Sequence, residues 1–347
     1  MEMEECQVSV TRFSGTPNGS QYLKAIRLNG DEVYDFFIDM SFMGELEYEN
    51  YIQTSYCDGI FCFKDFNGRI ALCDPRANTV KLLPPILPAP PSSQIVVYNC
   101  GFGYDFSSDD YKVIRIYDVV KYDIKDFDRY LGATEKCEVF SFKSKSWKEI
   151  EYEGCSFICN HGGYALVGCS YHWLAIDFIL AFDFSEEKFS HIPLPLSFKE
   201  KSFNGNTPAC HVVVTPNSRL GVIFYSKVGV SKTFQVWEYG INAEWSQLYN
   251  DARLDNVHRP LNLTGSLMYV SRFTAEKGFL QLLVYDWVEG TLNELDIYDH
   301  EYVMGICTTM PSSNPPMLQD SKRINGQSAQ EWDACWSREL RKAMKEG

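Results

Sequence analysis

The chain has 347 residues, of which 45% are hydrophobic and 15% aromatic, enough to bury a large core in one or two domains. Its formal net charge is −14, so its long-range field repels polyanions, and we expect no nucleic-acid partner. No apolar run approaches the roughly 20 residues of a membrane-spanning helix, so we expect no membrane partner either.

The chain begins with the acidic stretch MEMEEC, which has neither the basic nor the apolar region of a secretory signal. We therefore expect the twelve cysteines to be reduced, in a cytoplasmic or nuclear protein. Residues 1–20 are predicted to be an N-terminal segment. After it, QYLKAIRLNGDEVYDF contains two strand-like runs around the Asn29-Gly30 turn.

A short pattern then recurs five times: an apolar strand, an acidic or small polar residue at its end, a turn, and an aromatic or aliphatic residue about six positions later. The residues at the strand ends are Asp74, Ser141, Asp183, Glu238 and Asp286. These residues are spaced 67, 42, 55 and 48 residues apart. Repeats of strands at roughly 40 to 50 residues, with no long helix inside the unit, are typical of β-propeller blades.

Each copy of the pattern predicts a β-hairpin, because β-branched and aromatic residues flank a polar turn. A lone hairpin is only marginally stable in water, so the copies must pack on one another. We predict an all-β fold, a β-propeller of about six blades over residues 20–309. The aromatic residues after the turns, Trp147, Phe189 and Trp245, are expected to pack between neighbouring blades.

No catalytic motif accompanies the repeats. The run GFGYDF from Gly101 leads into a strand and not into a helix N-terminus, so it does not predict a phosphate-binding loop. The paired carboxylates Asp109 and Asp110 fall in a predicted turn, where carboxylates usually accept backbone N–H bonds. We expect no catalytic residues and no cofactor, and a ligand in the central channel is the enzymatic alternative.

The polar insert 117–135 is the first candidate contact region. Exposed aromatic residues together with arginine are typical interface anchors. The insert supplies Tyr122, Phe127, Arg129 and Tyr130. It could instead be an elaboration of an outer strand. Residues 198–206 form a second candidate loop.

Cysteine and histidine are concentrated between residues 155 and 172, and both are ligands that zinc prefers. The five residues are Cys155, Cys159, His161, Cys169 and His172. Their spacing is irregular, no CxxC pair occurs, and they fall in alternating strand patterns where cysteine serves as a small buried hydrophobe. We therefore expect core residues and no metal.

The C-terminal region 310–347 differs in kind from the repeats. After the proline-rich MPSSNPPM, Ser328 and Glu331 form a capping box that predicts a short helix to about Lys345. Trp332 and Trp336 belong to its apolar stripe, which makes them candidate partner-binding residues. The stripe could pack on the propeller, dock in a partner's groove, or belong to a non-native tail.

Four motifs, in this order, closely resemble the F-box-associated propeller domain of plant F-box proteins, including the S-locus F-box and kelch-like groups. They are YCDGIFCFKDFNGRIALCDPRANTVKLLPP at 56–85, GFGYDFSSDDYKVIRI at 101–116, YHWLAIDFILAFDFSEEKFSHIPLP at 171–195 and QVWEYGINAEWSQLY at 235–249. In the first motif, Asp74 stands where this family usually has asparagine. The resemblance covers about residues 20–309.

The resemblance implies a protein-binding propeller that recognises target proteins for a Skp/cullin/F-box ubiquitin ligase and performs no chemistry itself. Family members usually begin with a helical F-box that binds the Skp subunit, and the first residues here are strand-like instead. This departure leaves the Skp and cullin partners open. The chain could be a truncated form, an isoform or a competitor, and the alternative function is a stand-alone interaction scaffold.

Overall fold

The computed structural model describes residues 7–15, 21–29, 32–39, 54–64, 69–74, 79–84, 93–123, 130–152, 163–196, 209–226, 231–274, 279–299, 305–309 and 322–323. Within these residues, no helix has the length and apolarity needed to cross a membrane. The chain divides into two compact units. One contains residues 1–12 and 157–308, and the other contains residues 13–156 and 309–347.

The described part of the chain contains 25 β-strands. The strands of the first half are β1 (Gln7–Gly15), β2 (Gln21–Asn29), β3 (Glu32–Asp39), β4 (Thr54–Cys57), β5 (Ile60–Lys64), β6 (Ile70–Asp74), β7 (Thr79–Leu82), β8 (Ser93–Asp105), β9 (Asp110–Tyr122), β10 (Tyr130–Ser141), β11 (Ser146–Glu149), β12 (Tyr164–Val167) and β13 (Ser170–Leu174). Those of the second half are β14 (Phe178–Asp183), β15 (Lys188–Pro193), β16 (Ala209–Val214), β17 (Leu220–Tyr225), β18 (Ser231–Tyr239), β19 (Trp245–Asp255), β20 (Arg259–Thr264), β21 (Leu267–Thr274), β22 (Phe279–Asp286), β23 (Thr291–Asp299), β24 (Gly305–Thr309) and β25 (Lys322–Arg323).

The strands form antiparallel sheets in which neighbours along the chain are neighbours in the sheet. One unit contains the sheets β12–β15, β16–β19 and β20–β23, and the other contains β4–β7 with β25 added beside β7, the sheet β8–β11, and the paired strands β2 and β3. All five recurring segments are hairpins, as the sequence predicts, and the all-β fold is confirmed. The described residues hold six sheets, five of four strands and one of five, where the sequence predicts about six blades.

The structure describes part of the predicted N-terminal segment but not the predicted C-terminal helix. Residues 7–15 of the predicted N-terminal segment form strand β1. The predicted helix up to about Lys345 lies outside the described residues.

The sheet β16–β19 buries both of its faces, which explains its long apolar runs. Because side chains alternate along a strand, Val212 and Val222 point to one face while Val213 and Ile223 point to the other. The first pair packs against residues of the β12–β15 sheet, and the second against residues of the β20–β23 sheet. These sheets therefore stabilise one another through two continuous apolar layers.

The acidic residue at the end of a strand closes its turn. The Asp183 carboxylate accepts the backbone N–H groups of Ser185 and Glu186 at 2.8 and 2.9 Å. The Asp286 carboxylate likewise accepts the backbone N–H groups of Val288 and Glu289, at 2.8 and 3.3 Å. These bonds lower the pKa of the Asp286 carboxyl group. In these two hairpins the pattern detected in the sequence is thus a turn closed by the carboxylate, whereas Glu238 accepts from Thr215 and Asn217 instead.

Two of the three aromatic residues after the turns join neighbouring sheets, as predicted. The indole Nε1 of Trp147 donates to the carbonyl of Pro84 at 2.9 Å, and that of Trp245 donates to Pro193 at 2.7 Å. Each bond connects the last strand of one sheet to the chain at the end of the preceding sheet. Phe189 packs on Phe182 of its own sheet, and its packing between sheets stays a prediction.

Gly163 allows the closest approach between the sheets β12–β15 and β16–β19. It forms a parallel bridge with Val212 and has a φ of +71°. A Cβ atom there would lie 2.6 Å from His211 Nε2 and 2.7 Å from the Val212 carbonyl oxygen. His211 Nε2 in turn lies 3.1 Å from the carbonyl oxygen of Leu261 on β20. The imidazole therefore cannot move away from an added Cβ atom without losing this contact.

We expect Gly163→Ala to lower the free energy of unfolding by about 2–4 kcal/mol, since it combines left-handed backbone strain with overpacking. Gly290 is the matched control, because its φ is +65° but no atom lies within 4 Å of the place that an added Cβ would take. Gly290→Ala should cost only about 1 kcal/mol. Urea denaturation measures both, and equal costs would contradict this packing argument.

His172 is buried in the β12–β15 sheet as a neutral side chain. Its Nδ1 lies 3.1 Å from the carbonyl of Ala165, which fixes a proton on that nitrogen. Burial lowers the pKa of His172 to about 4.

This depressed pKa makes the stability of the fold depend on pH. Above pH 6.5 the histidine is neutral in both states and has no effect. Below it, only the unfolded chain takes up the proton, so stability falls between about pH 6.5 and 4, by about 3 kcal/mol in total. His172→Asn, whose amide can donate to Ala165, should flatten this profile in pH-dependent denaturation. An unchanged slope in the variant would show that other groups, such as His258, cause the loss.

Candidate protein-binding surface

Strands β8, β9 and β10 extend far beyond their neighbour β11. They have 13, 13 and 12 residues, whereas β11 has four. Residues 117–122 of β9 and 130–136 of β10 form what we call the hairpin extension, flanked by β8 from Ser93 onward. Residues 117–122 and 130–135 of the insert therefore form paired strands, as in the alternative of a strand elaboration, because their β-branched residues pair across the strands.

A β-bulge at the end of the hairpin extension presents two large apolar side chains to solvent. Tyr130 pairs with Tyr122 and Gly132 with Lys121, so Leu131 is an extra residue on β10. Gly132 has a φ of +141°, a conformation that favours glycine. Tyr130 and Leu131 are 61% and 58% exposed. Aromatic and aliphatic side chains displayed in this way are typical of contact surfaces.

The structure brings two of the predicted contact residues together, namely Tyr122 and Tyr130. Phe127, Arg129, Trp332 and Trp336 lie outside the described residues, as does the loop 198–206, and the binding role of all six residues stays a prediction. Leu131 is not among the contact residues that the sequence predicts. An isolated glycine in a strand pattern, here Gly132, is the signal that could have indicated the bulge.

A buried ion pair holds the base of the hairpin extension. Arg115 of β9 donates to Glu138 of β10 through Nε at 2.7 Å and lies 2.5 Å from it through Nη2. The guanidinium carbon also lies 3.6 Å from the ring centroid of Trp147. Burial lowers the pKa of Arg115, and the Glu138 carboxylate opposes that shift. The same tryptophan that joins two sheets therefore also orders the strands that carry the extension.

Acidic residues lie close together along part of the extension and on the neighbouring strand β11. Asp118 of β9 lies directly opposite Glu135 of β10, and burial raises the pKa of Asp118. At the neighbouring edge, Lys136 Nζ lies 3.0 Å from each carboxylate oxygen of Glu149. Three carboxylates and one lysine thus lie close together here, so we expect the region to favour a positively charged partner.

A groove of about 470 Å³ opens where β11 ends. Ile150 makes the last backbone bond to β10, donating to the Cys137 carbonyl at 3.0 Å. Residues 151 and 152, the next that the structure describes, are not part of a strand. The groove is lined by Glu135, Lys136, Cys137, Glu149, Ile150, Glu151 and Tyr152.

The cysteine and histidine cluster noted in the sequence is only partly described. Cys169 lies 3.8 Å from an Asp183 oxygen, and His172 is buried in its sheet. Cys155, Cys159 and His161 lie outside the described residues. Among those that the structure describes, no three or more metal-ligating side chains converge.

The family to which the chain belongs accounts for this architecture. Residues 20–290 match the family model of the F-box associated beta propeller domain, which covers more than half of the sequence. The chain is therefore a member of the F-box-associated β-propeller family, as the motifs indicated.

Curated relatives in Arabidopsis thaliana are F-box proteins. The F-box protein CPR1 is 28% identical over 203 residues, which are 52% of this chain and 47% of CPR1. An F-box/kelch-repeat protein is 25% identical over 239 residues, 66% of this chain and 61% of that protein. The chain thus spans about half the length of the curated relatives it matches.

Solved structures add no functional argument. An oligogalacturonate lyase aligns with a TM-score of 0.44 and 11% identity, covering 84% of this chain and 85% of the lyase. A likeness this distant says nothing about activity.

The buried pair at the base of the extension can be tested against an exposed one. Glu138→Ala leaves Arg115 buried without its partner and should lower the free energy of unfolding by about 3 kcal/mol. Glu149→Ala removes the exposed partner of Lys136 and should cost less than about 1 kcal/mol. Chemical denaturation compares the two, and similar losses would mean that the Arg115 pair is effectively solvated.

Proposed function

We propose that this chain recognises target proteins for a Skp/cullin/F-box ubiquitin ligase. Membership of the F-box-associated propeller family and the F-box relatives support this role. The chain itself contributes binding and no catalytic step. Its partners would be a target protein and, through an F-box, the Skp and cullin subunits.

The bulge that exposes Tyr130 and Leu131 is the observation that carries the proposal for this chain. Large side chains at the end of a rigid three-stranded extension lose little conformational entropy when a partner covers them. Their apolar area then contributes favourably to binding. The hairpin extension is thus the surface where we place target contact.

A reducing compartment, the cytoplasm or the nucleus, fits this role. Six cysteines whose side chains the structure describes form no disulfide, and five of them are buried. A stand-alone interaction scaffold is the second candidate function. It would use the same exposed residues without ubiquitin transfer.

The proposal predicts that target ubiquitination depends on the bulge. We would express the chain behind an added F-box in plant cells and quantify ubiquitinated proteins by mass spectrometry. Replacing both Tyr130 and Leu131 by serine should reduce the ubiquitination of the proteins that depend on the chain at least fivefold, because the exposed apolar contacts are lost. Skp co-purification should be unchanged.

Ile241→Ser is the matched control, since Ile241 is 87% exposed on another hairpin turn. It should leave the ubiquitinated set intact. If the wild-type fusion binds Skp and cullin but no protein changes in its ubiquitination, the ligase role is wrong. The stand-alone interaction scaffold is then the function that remains. If the bulge variant modifies the same set as the wild type, target contact lies elsewhere.

A further inference from the structure

We propose that the edge of β10 beside the groove binds a positively charged, extended segment of a partner protein by β-strand addition. This inference rests on the proposed function, because it specifies how a target is held. It concerns the side of the hairpin extension and not its tip.

The pairing of β10 shows where an edge is available. Strand β11 pairs with β10 only at Glu138–Ser141, whereas β9 pairs with β10 along its whole length. No other strand of the described residues pairs with β10. A strand edge that extends past its neighbour presents backbone groups to which another chain can add.

The direction of the backbone groups follows from the last bond to β11. The Cys137 carbonyl accepts from Ile150, so the backbone groups of Cys137 point toward the β11 side. N–H and C=O groups alternate sides along an antiparallel strand, which places those of Ala133 on this same side. Ala133 is exposed, and its register with Val120 of β9 is regular.

The shape of the site fits an added strand. The groove begins where β11 leaves β10, so an incoming segment would continue the line of β11 along β10. Its volume of about 470 Å³ falls within the range of ordinary binding clefts. Side chains of the added segment would alternate between the groove and solvent, as on any strand.

The charge of the groove selects the occupant. Three carboxylates, those of Glu135, Glu149 and Glu151, line it together with one lysine, Lys136. An arginine or lysine of the partner placed between Glu149 and Glu151 would complement the excess charge. A second copy of this chain is a poor occupant, because the protein carries a net charge of −14.

The test uses a defined peptide and the chain as it stands. A fluorescein-labelled eight-residue peptide of alternating arginine and valine is titrated with the protein, and anisotropy measures the dissociation constant. Two control peptides are matched in length: one carries N-methyl groups on alternate amides at the same charge, and the other has glutamate in place of arginine. We expect saturable binding of the first peptide only, weakening as salt is raised.

The decisive variant is Ala133→Pro, which removes an N–H group on the free side and keeps those that face β9. It should weaken binding about tenfold, the equivalent of roughly one hydrogen bond. Ala133→Ser keeps the N–H and should change binding less than twofold. Glu151→Lys should weaken binding at least tenfold at low salt. Hydrogen exchange at Ala133 should slow when the peptide binds.

Several outcomes would overturn the inference. They are equal binding of the N-methylated peptide, no saturable binding of the parent peptide, or self-association through this edge in sedimentation. If Ala133→Pro unfolds, the peptide controls and Glu151→Lys still decide. If the peptide does not bind but the wild-type fusion still promotes ubiquitination of target proteins, only this inference is rejected. If the wild-type fusion promotes the ubiquitination of no protein, the proposed function is rejected.

Discussion

The burial of a sheet on both faces is the constraint from which the rest follows. In the sheet β16–β19, Val212 and Val213 are neighbours in the chain, yet each packs against a different adjoining sheet. A strand buried in this way has no face left for a ligand or a partner. In such a sheet, contact with a partner is therefore confined to turns, strand ends and edges, and the hairpin extension of the sheet β8–β11 offers strand ends and an edge.

The polar groups that remain at sheet boundaries are used to fix geometry. The indoles of Trp147 and Trp245 each satisfy a proline carbonyl of the preceding sheet. Because proline cannot continue a β-ladder, that carbonyl marks the point where a strand ends. Arg115 stacks on Trp147, so sheet packing and the orientation of the hairpin extension depend on the same side chain.

The sequence predicted the fold better than the surface, for a physical reason. The turn residues Asp183 and Asp286 and the bridging residues Trp147 and Trp245 act through local spacing, which a repeat displays directly. The sequence left the hairpin extension open between a contact loop and a strand elaboration because Asp118 and Glu135, charged residues that are uncommon in strands, interrupt its pattern. The Arg115–Glu138 pair joins residues on different strands, and one sequence alone does not show such pairing.

Part of the negative charge of the chain lies at one place in the structure, beside the edge of β10. Spread evenly, a net charge of −14 would act mainly on solubility and on the rate of encounter with basic partners. Glu149 and Glu151 concentrate part of it beside a strand edge where a partner backbone can be aligned. Charge then selects which segments approach, while the backbone of β10 fixes how they lie. Because backbone bonds tolerate many side chains, such an edge can accept different sequences that share only positive charge and an extended form.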